Sequence, residues 1–341
     1  MLRDKQDRVY LIAEIGVNHD GSFERAKSLI DLAQASGANA VKFQSFSAKD
    51  LARHDTPKVE YQIETTGAET SHYEMLTSLE LNAEEELGLL EYCNRIGIDF
   101  ISTPYSVAAV ESLDNMGVKQ FKVASADIID IPLLEAISVT GKPVILALGM
   151  ASLGEIENAL ACFSNYHPSD VVLLHCVSNY PCSDESLNLQ VIRTLQATFP
   201  HPVGFSDHSL GTLAGCVSVS LGAKVIEKHF TSDSTLPGPD HRASSEPDEF
   251  RELVNNVRRV ELQLGSPWKQ SQPEEAGMAK TSRKSLVYVR DIKAGEEFCR
   301  EDFTMKRPGN GLGWDSVRYF IGQRAAKNCE SNVNCMFSDI E

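Results

Sequence analysis

Nowhere do apolar residues run on for the ~20 positions that a helix needs to cross a bilayer, and the opening stretch MLRDKQDRVYLIAEIG lacks the apolar core of a secretion signal. A cytoplasmic protein is expected. Basic residues are scarce: 32 Lys and Arg stand against 48 Asp and Glu, a formal net charge of −16. A phosphate backbone or an anionic bilayer would be repelled over most of such a surface, so neither nucleic acid nor membrane is expected as a partner. A small anion remains possible, because a few lysines inside a cleft outweigh a distant field. Cysteine pairing is missing as well. Cys93, Cys162, Cys176, Cys182, Cys216, Cys299, Cys329 and Cys335 include no C-x-x-C pair, which argues against a structural zinc site or a disulfide framework.

What is present is 42% hydrophobic and 23% charged residues, the balance of a soluble globular chain. Short β-branched runs recur: VYLIAEIGVN (9–18), AVKFQSF (40–46), DFISTPY (99–105), FKVASAD (121–127), VILALGM (144–150), VVLLHCVSN (171–179), VGFSDHS (203–209) and VIEKHFT (225–231). Between them lie amphipathic stretches such as SFERAKSLIDLAQASG and NAEEELGLLEYCNRIG, with Gly37 and Gly97 placed as helix stops. Eight strand-then-helix units predict an α/β fold, a (β/α)8 TIM barrel over residues 1–265. The gap from Ser47 to Leu81 is long for a loop and is expected on the C-terminal face of the barrel, where substrates bind. Residues 266–281, rich in Pro, Ser, Gln and Lys, read as a linker, and 282–341 as a small second domain.

Polar residues crowd toward the strand ends: Glu14, Asn18 and His19; Lys42 and Gln44; Lys122, Ser125 and Asp127; Ser178, Asn179 and Tyr180; Ser206 and His208; Glu227 and His229. Because strand side chains alternate, Lys42 with Gln44, Ser206 with His208, and Glu227 with His229 each share a face. If that face is the lumen, His208 and His229 on neighbouring strands can share a divalent ion; the competing reading is two core histidines bonded to carbonyls. Lys42 and Lys122 in a buried lumen call for a negative partner. A phosphate or carboxylate would serve, and so would pairing with Glu14, Asp127 or Glu227. Glu14 suits an acid/base or, equally, a structural counter-ion.

The motifs AEIGVNHDG, AVKFQ, FISTP, FKVASAD, LLHCVSNYP, GFSDHSLG, EKHFTSDSTLPGPDH and KRPGNG stand in one order over nearly the whole chain. Together they resemble the sialic acid synthase family, which spans N-acetylneuraminate, legionaminate and pseudaminate synthases and spore-coat polysaccharide relatives. That resemblance implies a barrel followed by an antifreeze-like (SAF) domain, and condensation of phosphoenolpyruvate with an open-chain N-acetylated hexosamine to a nine-carbon 2-keto acid and phosphate. It places manganese or magnesium on His208 and His229, and phosphoenolpyruvate on Lys42, Lys122, Ser125 and Ser206, with Gln44 beside them. Glu14 falls near the reacting carbons, and Tyr180 and Asp240 on sugar-contacting positions. Arg307 matches an arginine that one subunit inserts into its partner's site, which implies a homodimer with a swapped C-terminal domain. The chain departs from the family pattern at Asp127, where a sugar-contacting Glu is common, at Ser178, where an Asn binding phosphoenolpyruvate is common, and at Ala147 and Leu148, where hydroxyls are usual. These departures bear on the sugar more than on the reaction. A synthase acting on another aldose, and a non-catalytic sugar-phosphate-binding homologue in polysaccharide assembly, are the alternative readings.

Overall fold

The computed structural model describes residues 8–67 and 69–341; the first seven, read above for a secretion signal, lie outside the described residues. Each of the eight apolar runs forms a strand: β1 (Tyr10–Gly16), β2 (Ala40–Ser45), β3 (Asp99–Pro104), β4 (Phe121–Val123), β5 (Val144–Ala147), β6 (Val171–His175), β7 (Val203–Asp207) and β8 (Val225–His229). They pair in parallel, in chain order, and β8 closes on β1. The chain is therefore a TIM barrel followed by a small C-terminal domain.

Local chemistry sets the helix limits. The Asn82 side chain accepts from the N–H groups of Glu84 and Glu85, Glu85 returns a bond to the Asn82 N–H, and the helix Ala83–Ile96 ends at Gly97 in the left-handed region. The long segment after β2 is not bare loop. It holds helices Ala48–Leu51, Glu60–Thr66 and His72–Leu79, and Met75, Leu76 and Leu79 of the last one bury a face against Val17, Phe46 and Ala48. A capping box between Ser71 and Glu74 starts that helix.

Strand alternation divides the lumen into layers. Tyr10, Ile12, Ala40, Ile101, Ile145, Val172, Leu174 and Val225 fill the lower part as one apolar cluster. Opposite faces of the same strands pack on the helices through residues such as Phe43, Phe100, Phe121 and Phe205. Above the apolar lumen the register places Glu14 beside both Lys42 and His229, and Ser206 beside Glu227. The fully buried charges of the lumen thus lie at the C-terminal end of the barrel.

The first compact unit ends at Gly265 and the second runs from Ser266 to Glu341. Within the second, the stretch read as a linker carries a turn of 3-10 helix (Pro273–Glu275) and a short helix (Ala276–Ser282), largely exposed. Strands β9 (Ser285–Tyr288) and β10 (Phe303–Lys306) pair antiparallel over a core of Leu286, Tyr288, Phe298, Phe303 and Phe320. Among the described residues no helix is long and apolar enough to cross a membrane.

Candidate active site

Two buried lysines and two buried glutamates form the centre of the charged layer. Lys42 Nζ lies 2.9 Å from Glu14 Oε2 and 3.6 Å from Glu227 Oε2, and Lys122 Nζ lies 3.7 Å from Glu227 Oε1. Pairing of the lysines with Glu14 and Glu227, one of the two readings open from the sequence, is therefore realised in this structure. The pairing leaves capacity to spare: Glu227 Oε2 is buried 3.6 Å from its lysine without a hydrogen bond, and Glu14 Oε2 has Lys42 Nζ alone, at 2.9 Å. A buried carboxylate held only by an ion pair of this kind retains capacity for another donor.

The environment drives the two acids apart. Burial pushes Glu14 up to about 7, against the opposing pull of Lys42. Burial also opposes ionisation of Glu227, but Lys122 and Lys42 together with the Ser206 hydroxyl outweigh it and hold Glu227 well below the usual carboxylate range. Lys42 stays firmly protonated: desolvation is overcome by Glu14 and Glu227. Lys122 is lowered, chiefly by desolvation. One carboxyl that titrates near neutrality beside one that is always charged is an arrangement suited to moving a proton.

The two histidines stand at the next level. Desolvation depresses His208 to about 4, and desolvation with the neighbouring His208 takes His229 well below its ordinary value, so both rings are neutral at pH 7. His208 Nδ1 donates to the Val177 carbonyl at 2.7 Å, which leaves Nε2 with its lone pair. Its neighbour there, Ser206 Oγ at 3.2 Å, spends its proton on Glu227 Oε1 at 2.8 Å. His229 Nδ1 is buried without a hydrogen-bond partner, 3.7 Å from Asp240 Oδ2, and the two ring centroids are 5.7 Å apart. Neutral imidazoles with unspent nitrogens fit a divalent ion. Among the described residues no group of three or more His, Cys, Asp or Glu is placed to hold a metal.

On the far side of Lys122 the backbone supplies a cradle. Gly149 N–H lies 3.1 Å from both Ser125 Oγ and Cys176 Sγ. A Cβ at Gly149 would collide with Ser178 Oγ and stand 3.0 Å from Cys176 Sγ and Ser125 Oγ, so only glycine permits this approach. On the other side, Gly16 breaks the β1–β2 register with φ of 54°. A Cβ there would lie 3.1 Å from Glu14 Oε1 and Gln44 Nε2 and 3.5 Å from Asp240 Oδ2, which locates these three side chains around one backbone gap. Gln44 Nε2 donates to Glu14 Oε1 at 3.0 Å.

Tyr180 lies against His208 with centroids 4.2 Å apart and the rings tilted by 33°, and meets His229 edge-on. Asp127, on the 3-10 turn after β4, has a buried unbonded Oδ2, and burial with Asp130 raises it to about 6. Asp240 is raised to about 6, by burial. Glu14, Lys42, Gln44, Lys122, Ser125, Asp127, Ser178, Tyr180, Ser206, His208, His229 and Asp240 all belong to the barrel unit; Arg307 belongs to the second unit, exposed, its Nε donating to the Ser282 carbonyl at 3.1 Å. Cys176 and Gly149 were not singled out for the site from sequence; Glu227 was placed at the strand end on the face of His229 and as a possible partner of the lysines, without a ligand role. Glu227 carried a signal in its spacing of two from His229. Cys176 and Gly149 carried none, since only the barrel brings them together.

A family model for NeuB matches residues 29–269, and one for the SAF domain matches 283–332. The chain belongs to the NeuB family. Over 336 residues it is 39% identical to the N,N'-diacetyllegionaminic acid synthase of Legionella pneumophila, covering 97% of this chain and 94% of that one. It is 36% identical to the N-acetylneuraminate-9-phosphate synthase of Homo sapiens, covering 97% and 92%. A crystal structure of an N-acetylneuraminic acid synthetase from Leptospira borgpetersenii, in complex with citrate, superposes with a TM-score of 0.70 at 37% identity, covering 80% of this chain and 90% of that one. This NeuB-family chain is accordingly an enzyme of the sialic-type acid synthase class.

Proposed function

We propose that the chain condenses phosphoenolpyruvate with the open-chain form of an N-acetylated hexosamine, N-acetylmannosamine or a 2,4-diacetamido-trideoxyhexose, to a nine-carbon 2-keto acid and phosphate. The observation that carries this reading is the juxtaposition of two buried lysines, both sharing Glu227 as a counter-ion, with two neutral histidines at the neighbouring strand ends. Lys42 and Lys122 would exchange part of their pairing with Glu14 and Glu227 for the phosphate and carboxylate of phosphoenolpyruvate. The Ser125 and Ser178 hydroxyls would donate to the same anion, with Ser206 and Gln44 at its edge. Tyr180, Asp127 and Asp240 would hold the sugar, and Arg307 would reach the sugar of a partner subunit in a swapped homodimer.

His208 and His229 would hold manganese or magnesium, which when bound supplies polarisation of the aldehyde oxygen. C3 of phosphoenolpyruvate then forms a bond to the aldehyde carbon, whose oxygen takes a proton. Water adds at C2, loses a proton, and phosphate departs with cleavage of the C2–O bond. Glu14, which titrates near 7, can give the first proton and accept the second. Glu227 stays charged throughout and keeps both lysine ammonium groups oriented. Incubation with phosphoenolpyruvate and each hexosamine, followed by product mass and released phosphate, tests the proposal; no condensation with any of these aldehydes would overturn it.

A further inference from the structure

Above the layer of lysines, strand alternation continues to a side chain that no role yet accounts for. On β3, Ile101 belongs to the apolar lumen and Thr103 accepts from Lys42 Nζ at 3.3 Å. Tyr105 is the next residue on that face, and its N–H extends the β2–β3 pairing by bonding the Ser45 carbonyl at 3.1 Å. The ring meets Phe46 edge-on with centroids 6.1 Å apart and packs on the apolar cluster formed with helix His72–Leu79. One side of the phenol is thus anchored in the helical cover over strands β1 to β3. The phenol continues the lumen-facing row of Ile101 and Thr103. Its hydroxyl is raised well above the usual phenol range by burial and then by the carboxylates of Asp127, Glu14, Asp240 and Glu227. Of these acids, Glu14, Glu227 and Asp127 each have a buried carboxylate oxygen without a hydrogen-bond partner.

Two of these acids, Asp127 and Asp240, are the ones assigned to the sugar above, and a neutral O–H donor suits a neutral sugar oxygen. On the basis of the synthase reading above, we infer that the Tyr105 hydroxyl binds the sugar substrate, donating a hydrogen bond to one of its hydroxyl or acetamido oxygens, while phosphoenolpyruvate lies on the Lys122 side. The helical segment that follows β2 acts through this ring, since Phe46 and helix His72–Leu79 fix its position.

The test compares Tyr105→Phe with the unaltered protein in steady-state kinetics, using N-acetylmannosamine, its 2,4-diacetamido-trideoxy relatives and phosphoenolpyruvate. Phe keeps the ring contacts, so the melting temperature is expected to stay put. A lost neutral hydrogen bond should raise KM for the productive hexosamine about five- to tenfold and leave KM for phosphoenolpyruvate within about twofold. A hexosamine KM unchanged in Tyr105→Phe, or both KM values rising together, would overturn the inference while the synthase reading stands. Failure of the unaltered protein to make product with any of the hexosamines would instead remove the reading on which it rests. A Tyr105→Ala variant separates the two ends of the side chain: it should lose thermal stability as well, with a hexosamine KM at least as high as that of Tyr105→Phe.

Discussion

Two buried ion clusters lie back to back at the ends of β7 and β8, and they are built on opposite terms. Lys228 faces the helix layer: Nζ lies 2.9 Å from Asp207 Oδ2 and donates to the Ser209 carbonyl at 2.7 Å, while Asp207 Oδ1 accepts from both the N–H and the hydroxyl of Ser209. Every charged atom there has a near partner. One residue away on the strand, Glu227 and His229 face the lumen, where Lys42 and Lys122 meet their partners at up to 3.7 Å and Glu14, Glu227 and His229 keep unbonded buried atoms. The closed cluster is what a structural ion pair needs in order to offset its desolvation. The open one is costly as it stands and becomes favourable once a ligand brings the missing donors and acceptors. Completeness of pairing, more than the presence of charge, separates framework from site.

Substitutions can break that contrast. His208→Ala and His229→Ala are expected to have the largest effect, each abolishing metal-dependent phosphate release; full activity in either would sink the assignment of the two imidazoles as metal ligands. Lys228→Met should come next, on stability: it strands Asp207 as a buried unpaired carboxylate, at a cost of about 3–5 kcal/mol in denaturant unfolding. Lys42→Met should cost clearly less in the same experiment although it removes activity, because Glu14, poised to titrate near 7, can take up a proton while Glu227 keeps Lys122, so that no buried charge is left unpaired. Equal destabilisation by the two lysine variants would show that both clusters are structural.

The smallest expected effect is in pH dependence. Glu14 has a folded value of about 7 against 4.5 for the ordinary group, so the native state binds the proton more tightly than the unfolded chain does. Its contribution to stability is full below about 4.5 and is lost as pH rises through 7. Glu227, held down, contributes in the opposite sense, present above the ordinary value and lost only in strong acid. Glu14→Gln should therefore flatten the decline in stability between pH 4.5 and 7 and remove an inflection near neutrality from the pH profile of any residual activity. An unchanged profile would move the proton-transfer role elsewhere.

The barrel was legible because each strand is buried on both faces and reads as an apolar run, interrupted only where a side chain serves the site. That logic located Glu14, Lys42 and His229, and the spacing of two put Glu227 on the same face as His229. It did not reveal that Glu227 spans both lysines, since strand order and tilt decide which side chains meet. Gly149 and Cys176 were invisible for a similar reason: they come from different strands, and nothing in LALGM or LLHCVSN says that their backbones and side chains converge on Ser125. The segment 47–81 was read as loop because its short amphipathic turns, interrupted by TTG and by Pro57, give too little periodicity for any one helix to stand out. Its burial depends on Val17, Phe46 and Tyr105, which only the folded barrel presents.

The most direct test of the central claim uses phosphoenolpyruvate carrying 18O at the bridging position, with the productive N-acetylated hexosamine and manganese. Lysines that bind the phosphate while water adds at C2 predict one equivalent of nine-carbon 2-keto acid free of label, and inorganic phosphate that retains the 18O. Label in the keto acid, or phosphate released without any new carbon–carbon bond, would contradict it.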